Sequence, residues 1–474
     1  MRKRIFAFVL AVVIAFSGAC AFTASAVDSI DAAYEPDIPY IHINGLMTSD
    51  IYSDASNPDS PTVWPPQGGD IAKAVFKLLP AIAGLSITHN YDRFGDKLIP
   101  ALKGVLEPSF LDNSGDRNNK SGAYCEYPPK DEIKKDSMLW FDYDWRVDPF
   151  ETADELDKFI NYVLECSGCD QVVLESHSYG GVVAYTYAAV YGTEKVRGFL
   201  FNASAALGET FTGELCKGEL VLDAEALTEY LKGAFEHNDG EKFFNGLFRV
   251  LYKIGFTGCL CGKINKVVEK THDRLFAEII YPMFGSWPSI WSMVTEEDFD
   301  SSVDYVFNEF YKNDGIDHSG MLEKVNKFDR EIRKNKTEIF NNINETSDLY
   351  IVARYGYCSM FCTPSWKIMN DMITDVSKAS FGAETALYGE TLGEDYLAGK
   401  DGKYISPEKN IDASTCMFPE QTWFIADYMH MRSKPNDMFE ILLYHKGQAT
   451  VDTFDKYPRF LRCSGSDWTI VPAV

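Results

Sequence analysis

The sequence has little positive charge for its length, and this shortage excludes one large class of partners. Its 474 residues include 45 Lys and Arg against 70 Asp and Glu, so the formal net charge is −25. Without a basic surface to hold phosphate backbones, the protein is not expected to bind nucleic acid. Internal repeats and low-complexity tracts are also missing, and past residue 26 no apolar run is long enough to cross a bilayer.

The composition instead favours a large folded core. Hydrophobic residues make up 46% of the chain and aromatic residues 14%, which excludes a disordered or collagen-like protein and a small disulfide scaffold. A chain of this length predicts either one large domain that carries an insertion or two domains.

The first 26 residues have the pattern of a secretory signal peptide. Three basic residues at 2–4 precede an apolar run over 5–16, which leads to small residues at 24–26. We therefore predict that residues 1–26 are removed and that the protein is secreted or held at the cell surface. Two alternatives stay open: the run could remain as an anchor helix, or Cys20 could mark a lipoprotein.

The cysteines predict disulfide bonds. Of 11 cysteines, Cys20 would leave with the signal peptide, and the remaining ten are an even number in an exported protein. Three closely spaced pairs raise the question of zinc or redox chemistry, but no histidine lies at ligand spacing beside them. We therefore predict disulfides and no metal site. The pairs are Cys166 and Cys169, Cys259 and Cys261, and Cys358 and Cys362.

Short apolar runs alternate with helical patterns along the chain, which is typical of βαβ units around a mostly parallel sheet. Residues 204–346 interrupt this alternation with a helical, aromatic-rich stretch. We interpret it as a helical cap inserted between two parts of an α/β core, 27–203 and 347–474. The predicted strands cover 38–43, 138–143, 172–174, 196–201, 349–352 and 423–425, and the clearest helices cover 156–164 and 180–191.

The segment 172–181 carries the strongest chemical signal. A buried strand runs into Ser176-His177-Ser178-Tyr179-Gly180-Gly181, which matches the nucleophile elbow of α/β hydrolases except that Ser176 replaces the first glycine. A strained turn here would project the Ser178 hydroxyl into a site. The Tyr179 N–H, at the start of the following helix, would face a developing oxyanion. We therefore predict Ser178 as a nucleophile.

An elbow serine requires an acid and a base that follow it in the order Ser, Asp, His. Three later histidines fall within the predicted cap, which leaves two. His430 follows the strand at 423–425, whereas His445 ends an apolar stretch that predicts a packed helix. We favour His430 and keep His445 as the alternative. By chain order alone, the acid could be Asp371, Asp375, Asp395, Asp401, Asp412 or Asp427.

Five segments together resemble the lecithin:cholesterol acyltransferase-like lipases, a family that includes phospholipases and phospholipid acyltransferases. The resemblance implies an α/β-hydrolase fold with a helical cap and an activity on lipid esters. The segments are Phe141-Asp142-Tyr143-Asp144-Trp145-Arg146, the elbow at 176–181, Pro288-Ser289-Ile290-Trp291, Asn370-Asp371-Met372-Ile373-Thr374-Asp375, and Thr422-Trp423-Phe424-Ile425 followed by His430.

The resemblance also implies roles for single residues. It assigns the acid to Asp371 and supports His430 as the base. Met372 and Met431 stand where the family usually has glycine. For this reason Asp375 remains the alternative acid, and an inactive relative remains a competing interpretation.

Two further features complete the predicted site. The loop after the strand at 38–43 should face the elbow, so the Leu46 N–H is the second candidate oxyanion donor, with a simple turn as the alternative. The predicted cap carries a cluster of aromatic residues that includes Trp287 and Trp291. This cluster either packs in the core or binds substrate as part of a tunnel for an acyl chain.

The sequence thus predicts an exported serine carboxylic-ester hydrolase or O-acyltransferase. Ser178 would attack the acyl carbonyl, His430 would take its proton, and Asp371 would orient the imidazole. The N–H groups of Leu46 and Tyr179 would bind the oxyanion. This chemistry needs no metal and no organic cofactor. The expected partner is a lipid ester presented at a membrane or lipid surface. The competing interpretation is a non-catalytic exported binding protein on the same scaffold.

Overall fold

The structure, a computed structural model, describes residues 36–236, 241–432, 437–465 and 468–473. The predicted signal peptide, residues 1–26, lies outside the described residues. In the described part of the chain, an eight-stranded sheet is packed between helical layers. This arrangement confirms the α/β class and the mostly parallel sheet that the sequence predicts.

The main sheet is parallel except at one edge. The strands are β1 (Tyr40–Ile43), β2 (Ile51–Tyr52), β3 (Thr62–Trp64), β4 (Gly122–Ala123), β5 (Met138–Phe141), β6 (Val172–His177), β7 (Val196–Asn202), β8 (Asp348–Tyr355), β9 (Tyr357–Cys358), β10 (Met369–Asn370), β11 (Glu384–Thr385), β12 (Ile411–Asp412), β13 (Thr422–Ala426), β14 (Phe460–Ser464) and β15 (Thr469–Pro472). The main sheet has the order β15-β14-β13-β8-β7-β6-β1-β5, and β15 pairs antiparallel with β14. The shorter strands form small sheets of two or three strands beside it.

The helices fall mainly between the strands of the sheet, as βαβ units require. They are α1 (Gly68–Thr88), α2 (Tyr91–Leu106), α3 (Pro149–Ser167), α4 (Gly180–Tyr191), α5 (Thr210–Cys216), α6 (Ala224–Ala234), α7 (Glu241–Lys253), α8 (Phe256–Leu275), α9 (Tyr281–Met283), α10 (Pro288–Ser292), α11 (Glu296–Val303), α12 (Ser319–Glu331), α13 (Lys336–Thr346), α14 (Val376–Ala379), α15 (Glu394–Leu397) and α16 (Asp437–Tyr444). The helix α3 ends before Gly168, which adopts a left-handed φ of 70°.

Side chains of each strand alternate between two core layers, because successive residues of a strand point to opposite faces of the sheet. On one face, Leu174 and Phe201 belong to the layer that includes apolar residues of α3, α4 and α13. On the other face, Val173 and Leu200 share a layer with α16. Both faces are therefore covered, which explains why these strands are continuous apolar runs in the sequence.

The chain changes direction across the sheet at β1, which lies between β5 and β6. In open parallel sheets, ligands bind outside the carboxyl ends of the strands at such a switch point. Residues 44–46 follow β1 and Ser178 follows β6, so both predicted oxyanion donors and the predicted nucleophile lie there. With the strand-turn-helix at Ser178, this is the α/β-hydrolase sheet expected from the sequence.

The region between β7 and β8 is helical in the described residues, where the sequence predicts the cap over 204–346. A second helical region is not predicted: α1 and α2 lie between β3 and β4, pack on each other, and α2 also packs on α8. None of the described helices is both long and apolar enough to cross a membrane.

Candidate active site

Ser178 lies at a strained turn between β6 and α4. Its φ of 58° is in the left-handed region that residues other than glycine rarely adopt. Three backbone hydrogen bonds hold the turn. The Ser178 N–H donates to Asn202 O at 3.1 Å, and the Ser178 carbonyl accepts from the N–H groups of Gly181 and Ala205, both at 3.0 Å. A turn of this kind is what a nucleophile elbow requires.

Small residues next to Ser178 allow the helix and the strands to approach closely. A Cβ on Gly180 would lie 2.4 Å from the backbone oxygen of Ile43, and one on Gly181 would lie 1.9 Å from Ser204 Oγ. Neither position can hold a side chain without a rearrangement. Ser176, by contrast, fits in place of the usual first glycine, because its buried hydroxyl donates to a backbone carbonyl of β7 at 3.1 Å.

His430 and Asp371 form a buried pair. The His430 Nδ1 lies 2.8 Å from Asp371 Oδ2, and the His430 backbone N–H donates to the Asp371 carbonyl at 2.9 Å. The other carboxylate oxygen of Asp371 accepts from the N–H groups of Ile373, at 3.1 Å, and Thr374, at 2.7 Å. With Asp371 ionised, the Nδ1–H donates to it and Nε2 is left as a proton acceptor.

His177 connects the elbow to this pair. Its ring centroid lies 4.7 Å from that of His430. Burial, followed by the charges of His430 and Arg354, holds the pKa of His177 well below its usual range, so this imidazole stays neutral beside the predicted base. Among the hydrogen bonds of the described residues, none joins Ser178 to His430. In enzymes without bound substrate such hydrogen bonds are often long or poorly aligned, and they tighten in the complex.

The alternative acid and base lie in other surroundings. Asp375 Oδ2 accepts from the backbone N–H of Thr210 at 2.9 Å and from its hydroxyl at 2.6 Å, and thus ties the start of α5 to the loop after β10. Burial raises the pKa of Asp375 despite these bonds. His445 lies at the end of α16, where its Nδ1 is 2.8 Å from Gly447 O. The structure therefore brings Asp371, and not Asp375, to His430.

The loop after β1 is held by the segment 141–146. Asp142 accepts hydrogen bonds from the Asn44 amide at 2.7 Å and from the Ser49 hydroxyl at 2.8 Å. The Tyr143 hydroxyl donates to Asn44 O at 2.6 Å, and the Trp145 indole donates to Ser49 O at 2.9 Å. From the sequence, the charged pair Asp144 and Arg146 after a buried strand is expected to hold loops together, with a role in orienting the site as the alternative. In the structure, the segment 141–146 fixes the loop that carries Leu46.

Gly45 brings this loop against the elbow. A Cβ on Gly45 would lie 2.9 Å from Ser178 Cβ and 3.4 Å from His177 Nδ1. The backbone N–H groups of Leu46 and Tyr179 donate no hydrogen bond in the part of the chain that the structure describes. Both predicted donors are therefore available to an oxygen that forms next to Ser178.

Arg354 supports the loop of His430 and was not identified from the sequence. Its guanidinium donates to the backbone carbonyls of Met429 at 3.0 Å and Arg432 at 2.8 Å. It also donates twice to Asn202 Oδ1, at 3.1 and 2.8 Å. Because the Asn202 carbonyl accepts from the Ser178 N–H, Asn202 is bonded both to the elbow and to the arginine that holds the histidine loop.

Glu175 completes this network below the elbow. Its Oε1 accepts from the Asn202 amide at 2.8 Å, and its Oε2 lies 2.9 Å from His42 Nδ1 and accepts from the Tyr40 hydroxyl. Burial by itself raises the pKa of Glu175, but the charge of His42 and the three hydrogen bonds outweigh it, so the pKa is lowered. An ionised carboxylate is thus built into the sheet beside the site.

An apolar cavity of about 350 Å³ adjoins the site. Its walls come from α1, α2 and α8 and from residues 360–363, and its lining is almost entirely apolar. Met47 lines it and follows Leu46 directly, so the cavity reaches the loop of the predicted oxyanion donor. Phe284, which lies three residues before Trp287, also lines it.

Trp287 and Trp291 do not line this cavity. Both are buried in the core, where the Trp287 indole donates to Ser109 O at 3.2 Å and the Trp291 indole to Gly285 O at 3.0 Å. The rings of Trp287 and Trp145 pack in a T-shaped arrangement with centroids 5.1 Å apart. Both tryptophans thus pack in the main apolar core, which is one of the two arrangements that the sequence leaves open.

The predicted disulfides are not supported. No disulfide bond joins any of the ten cysteines within the described ranges. Six of them are buried, and Cys216, Cys416 and Cys463 lie in three different apolar clusters. No group of three or more His, Cys, Asp or Glu within the described ranges could hold a metal ion.

No protein-family model and no curated protein matches the chain. A solved structure to which it is similar is the crystal structure of the Tle4–Tli4 complex, at 15% sequence identity and a TM-score of 0.21. The similarity covers 38% of this chain and 48% of that one, so the chain spans about half the length of this neighbour. At this level it supports no statement about function.

Proposed function

We propose that the protein is a serine-dependent carboxylic-ester hydrolase that acts on lipid esters. The observation that carries the proposal is the buried pair of Asp371 and His430 next to the strained turn at Ser178. A left-handed serine between a strand and a helix is conformationally costly, and such strain is found mostly at functional sites.

In the proposed reaction, Ser178 Oγ attacks the acyl carbonyl carbon while His430 Nε2 takes the hydroxyl proton. The carbonyl oxygen becomes an oxyanion that the N–H groups of Leu46 and Tyr179 bind. When the carbon–oxygen bond of the alcohol breaks, His430 gives its proton to the leaving alcohol and an acyl-serine remains. Water, activated by the same histidine, then releases the acid; in an O-acyltransferase a second alcohol would take its place.

The preference for lipid esters rests on the apolar cavity beside Met47. Because its walls offer few polar groups, an acyl chain gains free energy by leaving water there, at about 0.8 kcal/mol per buried CH₂ group. A polar acyl group would lose its hydration without new partners. We extend the proposal to a cap formed by 204–346 and to export, which rests on the sequence of residues 1–26.

A panel of 4-nitrophenyl esters with acyl chains of two to sixteen carbons tests this function. We expect hydrolysis with a kcat/KM that rises with chain length, and inhibition by an alkyl phosphonate. Addition of a lipid alcohol would show whether transfer competes with hydrolysis. No hydrolysis of any ester by folded protein would contradict the proposal.

The competing candidate is a non-catalytic binding protein with the same cavity. Two observations favour it: Ser178 makes no hydrogen bond to His430 in the described residues, and Met372 has a φ of 89° beside the acid, where the resembling family usually has glycine. Such a protein would bind long-chain esters in the panel without turnover.

A further inference from the structure

The helix α7 presents an apolar face to solvent. Phe243, Leu247, Val250 and, just past the helix end, Ile254 recur at intervals of four, three and four residues, so they lie on one side of the helix. These residues are 69%, 39%, 54% and 69% exposed. Contiguous exposed apolar residues mark interaction surfaces on proteins.

A different side of α7 attaches the helix to the protein. The rings of Phe244 and Phe248 lie 4.4 and 5.6 Å from the ring of Phe235, at the end of α6. The helix also packs on α8, which lines the apolar cavity. The exposed face therefore belongs to an anchored helix, next to a wall of the proposed substrate site.

Positive charge accompanies this face. At about 100° per residue, Lys242, Arg249 and Lys253 lie together on one flank of the apolar strip, about a quarter turn from Phe243. All three are exposed. Between residues 241 and 270 there are six Lys and Arg and two Asp and Glu, a net charge of +4 within a chain of −25.

We propose that α7 docks the protein on an anionic lipid surface, an inference that rests on the proposed action on lipid esters. The apolar strip enters the boundary between headgroups and acyl chains, and the basic flank contacts the headgroup phosphates. The positive charge of residues 241–270 favours an anionic surface, because a zwitterionic surface has no net negative charge to attract the basic flank. Two copies of α7 face to face would bring like charges together.

Co-sedimentation with phosphatidylglycerol and phosphatidylcholine vesicles tests the docking. We use the Ser178→Ala variant, which cannot hydrolyse the lipid. We expect it to bind phosphatidylglycerol vesicles at least about tenfold more tightly than phosphatidylcholine vesicles, and this preference should weaken as the salt concentration rises. Phe243→Ser with Val250→Ser should lower binding by about tenfold or more, and Arg249→Glu with Lys253→Glu should abolish the preference. Ile316→Ser is the control, since Ile316 is 49% exposed near Asp314 and Asp317.

Equal binding to both vesicles, or unchanged binding by both double variants, would overturn the proposal. Sedimentation velocity without lipid is the second readout: a dimer that the Phe243→Ser, Val250→Ser variant dissociates would assign the face to a second copy and overturn it as well. An assay of the protein with Ser178 intact on a short, water-soluble ester separates the proposed hydrolase activity from the proposed docking surface. Vesicle binding without such hydrolysis would contradict the enzyme and leave the docking surface supported.

Discussion

The carboxyl ends of β6, β7 and β8 and the helical walls of the cavity adjoin each other but are built from opposite kinds of contact. At the strand ends, Glu175, Asn202 and Arg354 form a continuous buried hydrogen-bond network. The cavity walls of α1, α2 and α8 are almost entirely apolar. Hydrogen bonds fix distances and angles, whereas apolar burial has no preferred direction. The first region is therefore suited to hold reacting atoms and the second to select a chain by size.

Among the substitutions at the strand ends and in the nearby loops, loss of the predicted base should lower catalysis most. We expect His430→Ala to lower kcat by about 10⁴ to 10⁶-fold, because no other group would take the serine proton. His445→Ala is the matched control and should leave kcat within about threefold, since His445 contacts Gly447 at the end of α16. Steady-state kinetics on a soluble ester measure both. The reverse ranking would move the base to His445.

Asp371 and Asp375 lie four residues apart, and substitution of each one separates a catalytic role from a structural one. Asp371→Asn should lower kcat by about 10³ to 10⁴-fold with little change in KM, because the amide favours the wrong tautomer of His430. Asp375→Asn should cost less than about tenfold and should instead lower the melting temperature, because Asp375 binds Thr210 and not the histidine. A large kinetic loss at Asp375 alone would reassign the acid.

Substitution of Arg354 tests whether its hydrogen bonds position the loop that carries His430. Arg354→Lys cannot keep the bonds to Met429, Arg432 and Asn202 together. We expect kcat to fall about 10 to 100-fold with KM little changed. Arg333→Lys is a control at a second buried arginine, which pairs with Asp329, and it should affect stability only. Equal kinetic losses in both variants would mean that Arg354 has a general structural role.

The smallest effect concerns the apolar region. Ala74 of α1 lines the cavity, and Ala72, half a turn away, is exposed. Ala74→Trp should lower kcat/KM for a sixteen-carbon ester by about tenfold and leave a two-carbon ester unchanged, because the indole takes the place of several methylene groups. Ala72→Trp should change neither. A uniform loss on both esters would show that the cavity does not hold the acyl chain.

The features of the protein that its sequence predicts are local ones. Strand and helix periods, and the small residues around Ser178, identify the sheet and the elbow because neighbours in sequence determine them. The network of Arg354 joins residues from four strands and a distant loop, and nothing in a local pattern indicates such contacts. Trp287 and Trp291 show the same limit: a cluster of aromatic residues predicts apolar burial, but its sequence does not tell a core from a cavity wall. The prediction of disulfide bonds failed for a related reason: an even number of cysteines says nothing about the distances between their sulfur atoms.

The most direct test of the account is to locate the adduct of a fluorophosphonate probe by peptide mass spectrometry. In the wild-type protein we expect stoichiometric labelling of Ser178. Ser176→Ala, which removes a buried hydroxyl two residues away, should be labelled as well, and Ser178→Ala should show neither labelling nor ester hydrolysis while it keeps its fold by circular dichroism. Labelling of another serine, or hydrolysis near the wild-type rate by Ser178→Ala, would contradict the proposed active site.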